Sequence, residues 1–208
     1  MRIDVWSDIA CPWCYLGKHR IEAALARHGG EHELVFHAFE LNPAAPRRYD
    51  DGLTHTERIA KKFGASPAQI DTMHARMQGL GTEDGIDFHF ERVQGGSTFD
   101  AHRLVRLGLE RGVQAAVKER LMKAYFTDGE PIADRDVLAR VAGEAGLDVA
   151  EAREMLAGDR FTAVVRADET EAQELDITGV PFFVIDGKVA VEGAQPIDVL
   201  VQALAAAR

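Results

Sequence analysis

The sequence predicts a mixed α/β fold in which two strand-bearing ends enclose a long helical block. Three observations carry that prediction. A strand-like run feeds a helix at the N-terminus, the apolar spacing is helical from about Thr54 to Gln173, and strand spacing returns after Gly179. The chain has 208 residues, of which 46% are hydrophobic and 28% charged. That composition suits a globular protein with ample material for a core.

The first element is Arg2-Ile3-Asp4-Val5-Trp6, and the helix after it is marked by Leu16, Ile21, Ala24 and Leu25. A second strand spans His32 to Leu41, with Leu34, Phe36 and Ala38 on one face and Val35, His37 and Phe39 on the other. Phe36 and Phe39 should therefore pack different layers. Pro43, Pro46 and Gly52 end this β-α-β unit. Helical spacing follows in Ile59 and Phe63, Ile70 to Met77, Leu104 to Leu109, Val117 to Tyr125, Asp134 to Val141, Asp148 to Leu156 and Phe161 to Leu175. Met73 and Met77, four apart, read as core packing. Asp168, Glu169 and Glu171 read as solvated helix surface, and Gly79, Gly81, Gly95 and Gly96 as loop glycines.

From Gly179 to Gly193 two apolar runs flank Asp186-Gly187, a hairpin turn signal, and Pro196 begins a terminal helix through Val199, Leu200 and Leu204. The order β-α-β, helices, α-β-β-α is that of a thioredoxin fold with a helical insertion between its N-terminal βαβ and C-terminal ββα units. The sequence divides accordingly into a discontinuous thioredoxin-like domain, residues 1–50 and 174–208, and an insertion, residues 51–173.

The only two cysteines lie in Cys11-Pro12-Trp13-Cys14, at the step from the first strand to the first helix. A C-x-x-C in that setting reads as a redox motif. A thiol at a helix N-terminus meets unpaired N–H groups and the positive end of the helix dipole, which favour the thiolate needed for disulfide exchange. Cys11 is placed to be the nucleophile. Cys14, one turn inside, should be the resolving thiol that attacks a mixed disulfide at Cys11. Pro12 suits the first helical position because its missing N–H has no intrahelical partner to lose. Trp13 brings no cation to hold a thiolate, so the pair should be less oxidising than one with His at that position, and Asp8 would disfavour a thiolate if close. A structural zinc needs about four ligands; no second cysteine or histidine pair completes such a set, and no metal is expected. Val180-Pro181 is the second piece: a proline entering an apolar strand demands an edge, bulge or turn. In a thioredoxin-like fold this position is a cis-proline facing the cysteines, and the backbone before it pairs with substrate.

The net charge of −10 argues against a nucleic-acid or anionic-membrane partner. No apolar run approaches the roughly 20 residues of a membrane span, and no export signal precedes the first strand. A cytoplasmic setting is the expectation, where a C-x-x-C is catalytic or sensory rather than structural.

The ordered set Asp4-Val5-Trp6-Ser7-Asp8, Cys11-Pro12-Trp13-Cys14-Tyr15-Leu16-Gly17, Phe99-Asp100-Ala101-His102-Arg103-Leu104, Ala124-Tyr125-Phe126, Ile177-Thr178-Gly179-Val180-Pro181-Phe182-Phe183 and Gly193-Ala194-Gln195-Pro196 resembles the FrnE-type branch of the DsbA-like oxidoreductases. The resemblance spans nearly the whole chain. It implies a thiol-disulfide oxidoreductase or isomerase with Cys11 as nucleophile, Cys14 as resolving cysteine and Pro181 as cis-proline. Pro12, Trp13, Val180, Pro181 and His102 are then the candidate substrate-binding residues. Partners would be protein or small-molecule thiols and disulfides, with glutathione a redox partner rather than a resident cofactor, and a homodimer compatible with the family. Ser97-Thr98 departs from the Asn-Thr usual in this branch, though Ser can also cap a helix. The branch is similar to 2-hydroxychromene-2-carboxylate isomerases and kappa-class glutathione transferases, which carry Ser at the first cysteine position. A glutathione-dependent isomerase or transferase is thus the alternative reading, and a chaperone-like partner a third.

Overall fold

The computed structural model describes residues 1–207. Strand β1 (Arg2–Ser7) runs into helix α1 (Pro12–His28), and the chain returns as β2 (Glu33–Ala38). Seven helices follow among the described residues: α2 (His55–Phe63), α3 (Pro67–Glu83), α4 (Phe99–Glu110), α5 (Gln114–Lys123), α6 (Arg135–Glu144), α7 (Val149–Ala157) and α8 (Thr162–Glu174). Helix α5 runs on into a π-helical turn at Ala124–Asp128. Strands β3 (Phe182–Ile185) and β4 (Val189–Glu192) and helix α9 (Ile197–Ala206) complete the fold.

The sheet order is β2-β1-β3-β4, with β1 parallel to β2 and antiparallel to β3. This is the four-stranded mixed sheet of a thioredoxin fold with its helical insertion between β2 and β3. The β3–β4 hairpin turns at Asp186 (φ 48°) and Gly187 (φ 64°), the paired positive φ values that a tight hairpin needs. Alternation along β1 divides the interior. Ile3 and Val5 join the main core with α1, α4 to α7 and α9, while Trp6 packs with Ala172 and Ile177 on the other face. Phe36 and Phe39 split the same way. The main core is continuous from the sheet into the insertion.

Several local expectations are corrected. The second strand ends at Ala38, short of Leu41. Gly79 and Gly81 lie inside α3, not in a loop. Gly81 is small because a Cβ there would sit 2.5 Å from the Phe88 ring. Met77 is core, whereas Met73 on the outer side of α3 is 39% exposed. Asp168 is buried rather than solvated, since it faces β2 across the α8 packing layer.

Candidate functional site

Cys11 is the N-cap of α1, and Pro12 takes the first helical position. The Cys14 N–H donates to Cys11 Sγ (3.4 Å), satisfying one of the amides a helix start leaves open. On its other side, Cys11 Sγ lies 3.6 Å from the Val180 carbonyl oxygen. The Val180–Pro181 peptide bond is cis. Gly17 lets α1 approach that bond: a Cβ there would meet Pro181 Cγ at 2.8 Å. Five residues scattered through the chain, Cys11, Cys14, Gly17, Val180 and Pro181, thus meet at one end of α1.

Both cysteines are free thiols, with Cys11 4% and Cys14 1% exposed. Burial pushes the Cys14 thiol well above its ordinary range, and its hydrogen bond with Cys11 adds to this, while Lys118 and the Asp8 backbone pull the other way. Trp13 is the exposed member of the motif, at 38%. Half-buried Pro12 and Val180 and buried Pro181 complete its neighbourhood.

Behind the motif lies a buried polar group. Asp8 accepts from His102 Nε2 (3.2 Å) and from the Leu41 N–H (2.8 Å). Burial pushes the Asp8 carboxyl up, but these hydrogen bonds outweigh it and hold it below its ordinary value. For His102, burial dominates and keeps the imidazole neutral, leaving Nδ1 buried without a partner. His102 was expected to face substrate; it is instead enclosed behind Asp8, because α4 packs that side chain inward. Its neighbour Arg103 is also buried, donating to Asp100, Met155 O, Gly158 O and Arg160 O, so it ties the insertion together. Ser97 Oγ accepts the Phe99 N–H at 3.3 Å, while Thr98, at the N-cap of α4, makes no side-chain capping bond.

Helix α5 supplies what the motif alone did not reveal. Gln114 pairs with both backbone groups of Phe36, accepting at 3.0 Å and donating at 2.8 Å, so it extends the sheet beyond β2. Glu119 accepts from the Tyr15 hydroxyl (2.7 Å) and Lys18 Nζ (2.7 Å) and meets His19 Nε2 (3.2 Å), which locks α5 onto α1. Burial works against the Glu119 charge, yet those donors pull its carboxyl down to about 2. Between them Lys118 is fully buried and donates to Ser7 O at 3.2 Å. A sequence signal existed: Gln114 and Lys118 interrupt the apolar face carried by Val117 and Leu121.

A cavity of about 440 Å³ opens beside Ala10, lined among others by Leu41, Tyr49, Arg58, Lys62, Thr98 and Tyr125. A larger one of about 810 Å³ adjoins it, sharing Tyr49, His55, Arg58 and Gly95. On the opposite side of the sheet, His37, Asp168 and Glu171 lie close enough to hold a metal ion. Both His37 nitrogens already bond carboxylates, however, Asp168 at 3.2 Å and Asp4 at 2.8 Å, so that cluster is a satisfied ion network. No helix among the described residues is long and apolar enough to cross a membrane.

Comparison with known proteins agrees with this architecture. The family model of the DSBA-like thioredoxin domain matches residues 2–205. The crystal structure of a probable DsbA oxidoreductase from Streptomyces coelicolor superposes with a TM-score of 0.93 at 40% identity, covering 100% of this chain and 89% of that one. An uncharacterized Bacillus subtilis protein, YwbO, is 28% identical over 206 residues, 98% of this chain and 96% of its own. A 2-hydroxychromene-2-carboxylate isomerase shares the fold, with a TM-score of 0.72 at 16% identity over 99% of this chain and 95% of that one. With a strand-to-helix Cys11-Pro12-Trp13-Cys14, Val180-Pro181 packed against it and a family match over nearly every residue, the chain belongs to the DSBA-like thioredoxin domain family.

Proposed function

We propose that the protein is a thiol-disulfide oxidoreductase working through the Cys11/Cys14 dithiol in the cytoplasm. The observation that carries this reading is the position of Cys11 Sγ, at the N-terminus of α1 between the Cys14 amide and the Val180 carbonyl. Cys11 attacks a substrate disulfide, and Cys14, deeper in the helix, resolves the mixed disulfide by attacking Cys11 Sγ. Trp13, Pro12 and the Val180–Pro181 backbone form the surface the substrate meets. Partners are protein or small-molecule thiols. The cavity beside Ala10, with Arg58, Lys61 and Lys62 among its lining residues, suits a carboxylate-bearing thiol such as glutathione. The presence of Cys11, where the isomerase and transferase relatives carry Ser, favours dithiol exchange over glutathione-dependent isomerisation.

Equilibration with glutathione buffers tests this directly. The Cys11–Cys14 pair should form an intramolecular disulfide with a potential between about −270 and −180 mV, because Trp13 adds no thiolate-stabilising cation. A pair that forms no disulfide overturns the function, and a potential near about −120 mV overturns the assigned poise. Replacing both cysteines by Ser should abolish exchange. A chaperone-like protein would keep its partner binding after that change.

A further inference from the structure

We propose that the larger cavity, of about 810 Å³, holds the anionic end of the disulfide that Cys11 attacks, so that the substrate is a small disulfide bearing several phosphate or carboxylate groups away from its sulfur. The proposal rests on the dithiol reading above. The chain as a whole is acidic, with 34 Asp and Glu against 24 Lys and Arg. This cavity inverts that balance. Arg47, Arg48, Arg58, Arg92 and Arg135 line it, against Glu91, Asp134 and Asp136. Every cation in that lining is an arginine, whose planar fork meets phosphate and carboxylate oxygens in pairs.

These arginines come from four separate segments: the β2–α2 connection, α2, the 3-10 turn Phe90–Arg92 and the start of α6. Gathering like charges is unfavourable unless counter-charge meets them, and the fold supplies little. Asp100 is the buried carboxylate that several of them share. Its Oδ2 accepts from Arg47 Nη2 (2.8 Å) and Arg135 Nε (2.9 Å), while Oδ1 accepts from Arg103 Nη1 (2.7 Å). One negative charge thus faces three guanidiniums. Arg47 and Arg135 each give Asp100 a single N–H, so both retain donors while lining the cavity. The acids in the lining are engaged elsewhere as well: Asp134 accepts the Asp136 amide at the start of α6 (2.8 Å), Asp136 lies 3.4 Å from Arg153, and Glu91 meets His89 (3.0 Å) besides Arg92 (3.6 Å).

The segment carrying Arg47 and Arg48 is fixed in place. The Ser97 N–H donates to Pro46 O (2.9 Å), and Gly96 permits the close approach, since a Cβ there would sit 2.7 Å from Arg47 O. The cavity also connects with the dithiol. Tyr49, His55, Arg58 and Gly95 line both cavities, and the smaller one reaches Ala10, the residue before Cys11. A disulfide lying along this cleft has its sulfur at Cys11 and its charges among the arginines. In the step, the Cys11 thiolate attacks one sulfur, a Cys11–substrate bond forms and the other half leaves. Cys14 then displaces the bound half from Cys11. The dithiol is oxidised, the disulfide is reduced, and the two thiol protons go with the two released halves.

Single-turnover oxidation of the reduced protein tests this, with neutral bis(2-hydroxyethyl) disulfide, glutathione disulfide and coenzyme A disulfide compared, each rate divided by that of the same disulfide with free dithiothreitol. A chain of net charge −10 would by itself repel the anions. Coenzyme A disulfide should nevertheless react about 100-fold faster than the neutral disulfide at low ionic strength, and the advantage should shrink as salt is added. Arg47→Gln combined with Arg135→Gln should cut that ratio about tenfold. Arg48→Gln combined with Arg92→Gln leaves the Asp100 cluster intact, should act in the same direction, and covers the case in which the first pair folds poorly. Inorganic pyrophosphate should compete with coenzyme A disulfide and spare the neutral one. Glutathione disulfide sharing the advantage assigns carboxylates to the site; an advantage confined to coenzyme A disulfide assigns phosphates. A neutral disulfide that reacts as fast as both anionic ones, or a ratio untouched in both variants, overturns the anion site and leaves the dithiol reading standing. A protein in which none of the three forms a Cys11–Cys14 bond overturns both.

Discussion

The sheet carries a buried histidine–carboxylate network on each side, and the two are built to opposite ends. Next to the cysteines, His102 has one carboxylate partner, Asp8, and an unpartnered Nδ1. Across the sheet, His37 sits between Asp4 and Asp168 and stacks on Trp6 with ring centroids 4.6 Å apart. Burial drives both imidazoles toward neutrality. One carboxylate fails to reverse that for His102, whereas two reverse it for His37, which is raised. The lesson is that a fully satisfied network fastens a structure, while a partly satisfied one leaves polar atoms available for chemistry.

The comparison breaks most sharply at Asp168, which ties α8 to β2 by accepting from His37 Nδ1 and the Ala38 N–H. Asp168→Ala should cost about 3–5 kcal/mol, as expected when one partner of a buried pair is removed. Chemical denaturation measures it, and the folded variant should keep its exchange rate within about threefold. A comparable loss of exchange would mean that the two networks are coupled. A smaller effect belongs to the cysteine side: Gly17→Ala forces Pro181 Cγ away from α1 and should cost about 1–3 kcal/mol. Here the exchange rate should fall as well, because Pro181 and Val180 move with respect to Cys11.

The smallest effect is in pH dependence, where the two histidines should carry opposite signs. The folded His37 binds its proton more tightly than the ordinary value of 6.5. Its stabilisation is therefore complete below 6.5 and is lost as pH rises through the higher folded value. The folded His102 binds its proton less tightly than 6.5. Its neutral form is favoured above 6.5, and stability falls as pH drops from there toward the lower folded value. Replacing His37 by Gln should remove the decline on the alkaline side, and His102→Gln the decline on the acidic side. Matched unfolding curves at several pH values resolve them. The same sign for both would erase the distinction between the networks.

Much of the fold was legible because it rests on local periodicity. Val5 and Trp6 announce a strand with two buried faces, Asp186-Gly187 a hairpin, and Pro12 a helix start. The strand-to-helix position of Cys11 and Cys14 was equally legible, since it follows from the local pattern on either side of them. Asp168 was not. Along α8 it is one acidic residue beside Glu169 and Glu171, and only the packing of α8 on β2 turns it inward. His102 misled for the same reason: its helix is visible in sequence, but the face it presents to Asp8 is set by how α4 meets the β1–α1 connection.

By itself, then, the sequence determined the strand-to-helix placement of the dithiol, the α/β order and the polar groups available. Those follow from bonding within a few residues and from burial patterns repeated at two or 3.6 positions. Tertiary structure alone decided which polar groups would meet. Lys118 lies 111 positions after Ser7 in the chain, and it reaches the Ser7 carbonyl because Gln114 and Glu119 fasten α5 to β2 and α1. Burial shifts a proton equilibrium only where the chain has folded to exclude water, and that is a property of the packed molecule rather than of any segment.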